Sequence, residues 1–100
     1  MITMPRVHFT ERALIDLERI FQFLEQEAPR FARMTGEEIA DATSVLLRHP
    51  LIGRPALHNL RELVISKGRS GYVALYRFLP TNNRIDILAI RHQRECGFVD

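Results

Sequence analysis

A chain of 100 residues has room for one domain, and 46% hydrophobic with 26% charged residues is typical of a folded globular protein. No apolar run approaches the roughly 20 residues of a membrane-spanning helix, and a single cysteine, Cys96, excludes an internal disulfide. From the length we expect one domain, residues 1–100. Residues 1–6 lack the apolar stretch of a secretory signal, so we expect the protein in the cytoplasm and not at a membrane.

The charge is unevenly distributed along the sequence, although the net charge is only +2. Residues 1–47 carry five arginines and eight carboxylates, whereas residues 48–100 carry nine Arg or Lys and four carboxylates. A basic second half predicts a basic surface that meets an anionic partner, although a solvated face with no partner would have the same composition.

The first half of the chain predicts one strand followed by two helices. Residues 7–9 alternate in polarity as a short strand does, and Thr10 is a suitable N-cap for a helix. This helix runs to about Glu27 and carries one apolar stripe, which consists of Leu14, Leu17, Phe21 and Leu24. Pro29 begins a second helix, which ends near residues 48–49. Because the link is so short, the two helices should form an antiparallel hairpin.

The second half changes to strand periodicity after a predicted loop at residues 50–58. Three strands are expected there, at residues 60–66, 72–79 and 84–90. They are joined by turns short enough for an antiparallel meander. The order is therefore β-α-α-β-β-β, an α+β fold in which the helix hairpin covers one face of an antiparallel sheet and the first strand joins at an edge.

Arginines on separate strands can converge on the sheet face away from the helices. Arg61 begins one strand, Arg77 lies in the next, and Arg91-His92-Gln93-Arg94 follows the last. Guanidinium groups bind phosphate or carboxylate in a bidentate manner and stay charged. Arg77 stands at an otherwise apolar position, so it is either functional or paired with Asp86 on the adjacent strand.

Other kinds of site are weakly supported. The four histidines lack the spacing of a metal motif and no glycine-rich phosphate loop is present, so we expect no metal and no cofactor. Tyr72, Tyr76 and Phe78 alternate along one strand face. They either stack on nucleic-acid bases or, as such residues more often do, pack in the core or across strands.

Five segments, spread in order over nearly the whole chain, share one family pattern: Ala13-x-x-Asp16-Leu17-x-x-Ile20, His49-Pro50-Leu51-Ile52-Gly53-Arg54, Leu60-Arg61-Glu62-Leu63, Tyr72-x-x-x-Tyr76-Arg77 and Ile87-Leu88-Ala89-Ile90-Arg91-His92-Gln93-Arg94. Together they resemble the RelE/ParE toxins of bacterial type II toxin–antitoxin systems, of the plasmid-stabilisation type. The resemblance implies a helix hairpin on an antiparallel sheet, growth inhibition, and a cognate antitoxin protein that binds and silences the toxin.

The resemblance leaves the target open, because this family divides into two branches. RelE-like members cut messenger RNA on the ribosome as metal-free endoribonucleases, whereas ParE-like members inhibit DNA gyrase and need no nuclease chemistry. For the RNA-cleaving branch the resemblance assigns charge stabilisation to Arg61 and Arg77, and acid or base catalysis to His92. No tyrosine follows His92, so a second acid or base is not evident.

The His92-x-Arg94 ending resembles ParE-like or unassigned members, and the resemblance together with the missing second acid or base favours gyrase inhibition. RNA cleavage is the first alternative, and an inactive member that only binds its antitoxin is the second; whether the chain is an enzyme depends on this choice. The remaining cations are expected to bind the target or the antitoxin: Lys67, Arg69, Arg91 and Arg94.

Overall fold

The computed structural model describes residues 4–65 and 71–93. Its elements are β1 (Arg6–Phe9), α1 (Glu11–Glu27), α2 (Pro29–Arg48), β2 (Arg54–Pro55), β3 (Arg61–Val64), β4 (Tyr72–Leu79) and β5 (Arg84–His92). Short 3₁₀ turns at Leu57–Asn59 and Pro80–Asn82 precede β3 and β5.

Both helices begin where the sequence predicts. The Thr10 hydroxyl accepts a 3.2 Å hydrogen bond from the Ala13 N–H, which satisfies one of the free donors at the start of α1. Pro29 is the first residue of α2, where its missing N–H costs nothing. No helix in the described ranges is long and apolar enough to span a membrane.

The five strands form one sheet in the order β1-β5-β4-β3-β2. The β2–β3, β3–β4 and β4–β5 pairs are antiparallel, whereas β1 joins the edge of β5 in parallel. The predicted α+β fold is therefore confirmed. The short strand β2 was missed, because Arg54 and Pro55 lie in a segment whose prolines and glycine predict a loop.

A register shift in the β4–β5 pair changes how the two strands present their side chains. Leu75 pairs with Ala89, but the next residue, Tyr76, pairs with Ile87, so Leu88 is the extra residue. Thr10 binds here: its N–H donates to the Ile87 carbonyl at 3.0 Å and its hydroxyl to the Leu88 carbonyl at 3.2 Å. The start of α1 is thereby fixed against the centre of β5.

The core lies between the helices and one face of the sheet. Its buried residues are Ala13, Leu46, Tyr72, Ala74, Tyr76, Ile85, Ile87 and Ile90. The predicted stripe of α1 is correct for Leu24, which is buried, and wrong for Leu14, which is 53% exposed. The buried face of α1 is centred nearer to Ala13 and Asp16, which are buried, while Leu17 of the stripe packs partly against the core.

Candidate functional site

Arg61 anchors the loop that connects α2 to β2. Its Nη1 donates to the Gly53 carbonyl at 2.8 Å and to the Leu51 carbonyl at 3.1 Å. The guanidinium thus binds two backbone acceptors that lie outside any helix or strand, and such charge-assisted bonds are stronger than neutral ones. Arg61 therefore has a structural role in this fold.

Tyr76 anchors the same loop from the core. Its hydroxyl accepts a hydrogen bond from the Gly53 N–H and donates one to the Pro50 carbonyl, both at 2.8 Å, while the side chain is fully buried. Burial raises the pKa of Tyr76 against the opposing effects of the Gly53 N–H and the Arg61 charge. The tyrosine therefore stays protonated and keeps donating at neutral pH.

Gly53 is required at this contact. A Cβ on Gly53 would lie 2.6 Å from Cε1 of Tyr76, closer than real Cβ atoms come to a ring. We call the arrangement of Arg61 and Tyr76 around Gly53 the loop clamp. Sequence reasoning missed it, although Gly53 and Tyr76 both occur in the quoted family segments.

Arg77 lies on the other face of the sheet, in an ion pair with Asp86. Its Nη2 is 3.3 Å from Oδ2 of Asp86, and Nε of Arg84 is 2.8 Å from Oδ1 of the same carboxylate. The carboxylate side chain is only 4% exposed. Burial favours the neutral acid, but hydrogen bonds and charges from Arg84 and Arg77 outweigh it and lower the pKa of Asp86.

The expectation that Arg61, Arg77 and His92 share one basic hollow is wrong. Arg61 pairs with Tyr76 in the β3–β4 register, and Tyr76 faces the helices. Arg77 follows Tyr76 on the strand, and successive strand side chains point to opposite faces. Arg61 and Arg77 therefore point to opposite faces of the sheet.

His92 and Arg91 lie in a separate hollow between α1 and the end of β5. Its volume is about 500 Å³, and it is lined by Asp16, Arg19, Ile20, Phe23, Tyr72, Ile90, Arg91 and His92. The rings of Tyr72 and His92 meet edge to face, with centroids 5.4 Å apart. We call this region the α1–β5 hollow, and it combines cationic, aromatic and imidazole side chains.

Asp16 organises the α1–β5 hollow. It is 3% exposed, accepts the Ile90 N–H at 2.9 Å, and lies 3.1 Å from Nη2 of Arg19 and 3.7 Å from Nη1 of Arg91. The carboxylate therefore satisfies a backbone donor at the edge of β5 and orients two guanidinium groups. An aspartate within the apolar side of a predicted helix was the available signal for this role.

The remaining sequence candidates have different outcomes. Lys67, Arg69 and Arg94 lie outside the described residues, so their expected binding role stays a prediction. Tyr76 is buried in the core, where it cannot stack on a base. Among residues 4–65 and 71–93, no three His, Cys, Asp or Glu side chains converge as metal ligands would.

Comparison with known proteins places the chain in a family. A family model described as the ParE toxin of the type II toxin–antitoxin system parDE matches residues 7–96. The chain belongs to this toxin family. As a ParE-family toxin it is the toxin component of a type II system, in agreement with the resemblance that the five sequence segments carry.

Curated relatives of this ParE-family toxin carry the other branch name. Toxin RelE3 of Caulobacter vibrioides is 35% identical, and the match covers 92% of this chain and 98% of the relative. Toxin RelE2 of the same organism is 34% identical, with 89% of this chain and 96% of the relative covered.

Solved structures agree on the fold of this toxin. The chromosomal ParDE system of P. aeruginosa superposes with a TM-score of 0.70 at 24% identity, covering 89% of this chain and 96% of the other. The RelBE2 toxin–antitoxin complex of Mycobacterium tuberculosis gives 0.60 at 23% identity, covering 95% and 98%.

Proposed function

We propose that this ParE-family toxin is silenced by a cognate antitoxin and acts by binding and inhibiting DNA gyrase. The antitoxin partner is supported by the family and by the similar structures, which are a ParDE toxin–antitoxin system and a RelBE2 toxin–antitoxin complex. The target is supported by the positions of the two arginines that an RNA-cleaving site would need.

The separation of Arg61 and Arg77 is the observation that carries this choice. Cleavage of RNA without a metal needs cations and an acid–base pair around a single phosphate. Arg61 is bound to the Leu51 and Gly53 carbonyls, and Arg77 is paired with Asp86 on the opposite face. Inhibition of a protein target requires no such convergence, so it is compatible with both arginines serving the fold.

Ribosome-dependent RNA cleavage is the second candidate, and the α1–β5 hollow is the observation that favours it. The hollow holds His92 and Arg91, and it adds the ring of Tyr72 in edge-to-face contact with His92, which the sequence did not suggest. In this alternative one of the two groups, the histidine or the tyrosine, would take the proton of the attacking 2′-hydroxyl and the other would give a proton to the leaving 5′-oxygen, while the arginine stabilises charge on the phosphate.

Two assays run side by side test the proposal. Purified toxin is added to purified gyrase with relaxed plasmid, and separately to ribosomes translating a defined messenger RNA. We expect supercoiling to stop and the messenger RNA to stay intact, with the same result for His92→Ala and Tyr72→Phe. Ribosome-dependent cuts that His92→Ala slows by about 10²-fold or more would overturn the proposal in favour of the nuclease. Normal growth on expression without antitoxin would instead indicate an inactive member.

A further inference from the structure

A second, apolar hollow lies at the C-terminal end of α2. It is lined by Arg48, His49, Pro50, Leu51 and Ile52, and we call it the α2-end hollow. Leu51 is 59% exposed and Ile52 is 52% exposed. Two large apolar side chains exposed side by side mark a candidate interaction surface, because they are costly to keep in water.

The backbone beneath the α2-end hollow is held in place by the loop clamp. Arg61 binds the Leu51 carbonyl, Tyr76 binds the Pro50 carbonyl, and the Ile52 N–H donates to the His49 carbonyl at 3.1 Å. The backbone groups are therefore satisfied from the protein side while the side chains of Leu51 and Ile52 project outward. Such a surface loses little conformational entropy when a partner binds.

The charge beside the α2-end hollow indicates what its partner carries. Arg48 is exposed, and its guanidinium makes no hydrogen bond or ion pair with any residue in the described ranges 4–65 and 71–93. An unpaired guanidinium next to Leu51 and Ile52 complements a partner that presents an apolar side chain beside a carboxylate.

The short stretch of chain that lines the α2-end hollow favours a folded partner. A segment that orders on binding needs several anchors along its length to offset the cost of ordering. Five consecutive residues, 48–52, provide one anchor point, which suits a side chain already held in place by a folded protein. The antitoxin, expected to contribute a segment that orders on binding, fits this surface less well.

We propose that the α2-end hollow is the surface with which the toxin docks on its protein target, an apolar and acidic patch of gyrase. This inference rests on the proposed function and names the toxin residues that would carry it. Leu51 and Ile52 supply the apolar contact, Arg48 supplies the charge contact, and Arg61 and Tyr76 act only by positioning the loop.

The test compares matched variants in the supercoiling assay. Leu51→Asp and Arg48→Glu remove the apolar and the charge contact. Leu57→Asp is the control for the first variant, because Leu57 is 79% exposed and lies outside the hollow. Arg30→Glu is the control for the second, since it makes the same charge change at the other end of α2. We expect the half-inhibitory toxin concentration to rise about tenfold or more in both hollow variants and less than about twofold in both controls.

Each remaining outcome decides the matter. Inhibition by both hollow variants at wild-type concentrations would overturn this docking site and leave the proposed function standing, whereas a wild-type toxin that does not inhibit gyrase would remove both. Loss of antitoxin capture with unchanged inhibition would assign the hollow to the antitoxin, and a dimer that Leu51→Asp dissociates would assign it to a second copy; both contradict the proposal.

Urea unfolding of every variant identifies a misfolded chain, and Arg48→Glu keeps the test decisive if Leu51→Asp does not fold.

Discussion

Tyr76 connects two backbone groups of the loop at residues 50–53 to the centre of the sheet. The bond to the Gly53 N–H is buried and the bond to the Pro50 carbonyl is part-buried, so removing the hydroxyl would leave both groups without that partner. An unsatisfied buried polar group costs more than a hydrogen bond gains, because water does not reach it. The loop clamp is therefore sensitive to a change of one atom.

We expect Tyr76→Phe to lower the free energy of unfolding by about 1–3 kcal/mol, since the ring still fills its space while the hydroxyl is lost. Urea denaturation at pH 7 measures the change. Arg61→Lys is a useful companion, because lysine keeps the charge but not the fixed geometry of the guanidinium. A Tyr76→Phe protein as stable as wild type would show that the hydroxyl does not support the fold.

Asp86 makes the stability of the fold depend on pH in the acid range. Its folded pKa lies below the ordinary value of 3.8, because Arg84 and Arg77 favour the charged form. The stabilisation is therefore fully present above pH 3.8 and is lost as the pH falls through the lower folded pKa.

We expect the stability difference between wild type and Asp86→Asn to be constant near neutral pH and to shrink below about pH 4. Urea midpoints measured for both proteins from pH 7 to pH 2.5 give this difference, and the other carboxylates cancel in it. Parallel curves across the whole range would contradict the assigned role of the two arginines.

Among the elements, α1 provides a hydrogen-bond acceptor to β5 where β1 has ended, as a neighbouring strand would. β1 covers β5 as far as Ile87, and farther along the strand the Asp16 carboxylate accepts the Ile90 N–H. Edge strands with free backbone donors tend to pair with other chains, so a helix that binds the edge is protective.

We expect Asp16→Ala to expose this edge, with a loss of about 1–3 kcal/mol for the Ile90 N–H alone. Hydrogen exchange should show faster exchange of the Ile90 amide than in wild type. Asp16→Asn is the matched control, because its side-chain oxygen still accepts a hydrogen bond. Equal protection of Ile90 in the alanine and wild-type proteins would contradict this assignment.

Most element boundaries could be predicted from the sequence because they depend on local chemistry. Thr10 caps α1 and Pro29 begins α2, and both effects act within a few residues. The exposure of Leu14 and the short strand β2 could not be predicted, because the rotation of α1 and the pairing of Arg54 with Glu62 depend on distant parts of the chain.

At the scale of the whole molecule, the candidate site was harder to predict than the fold. Strand alternation alone separates Arg77 from Tyr76, but only the register shows that Arg61 shares the face of Tyr76. The Arg77–Asp86 pair was predicted as one of two alternatives, since adjacent antiparallel strands bring such positions together. The α1–β5 hollow depends on where α1 crosses β5, which the residue pattern of either element does not specify.

The arrangement of the whole molecule also bears on the target. Of the arginines assigned to RNA cleavage, Arg61 binds a loop on one face of the sheet and Arg77 pairs with a carboxylate on the other. We therefore favour a toxin that acts by binding a protein. Calorimetric titration of purified toxin into purified gyrase shows whether the toxin binds this protein. We predict saturable binding that His92→Ala leaves unchanged. No detectable heat of binding at two different temperatures, with toxin concentrations that cut messenger RNA on ribosomes, would contradict gyrase binding.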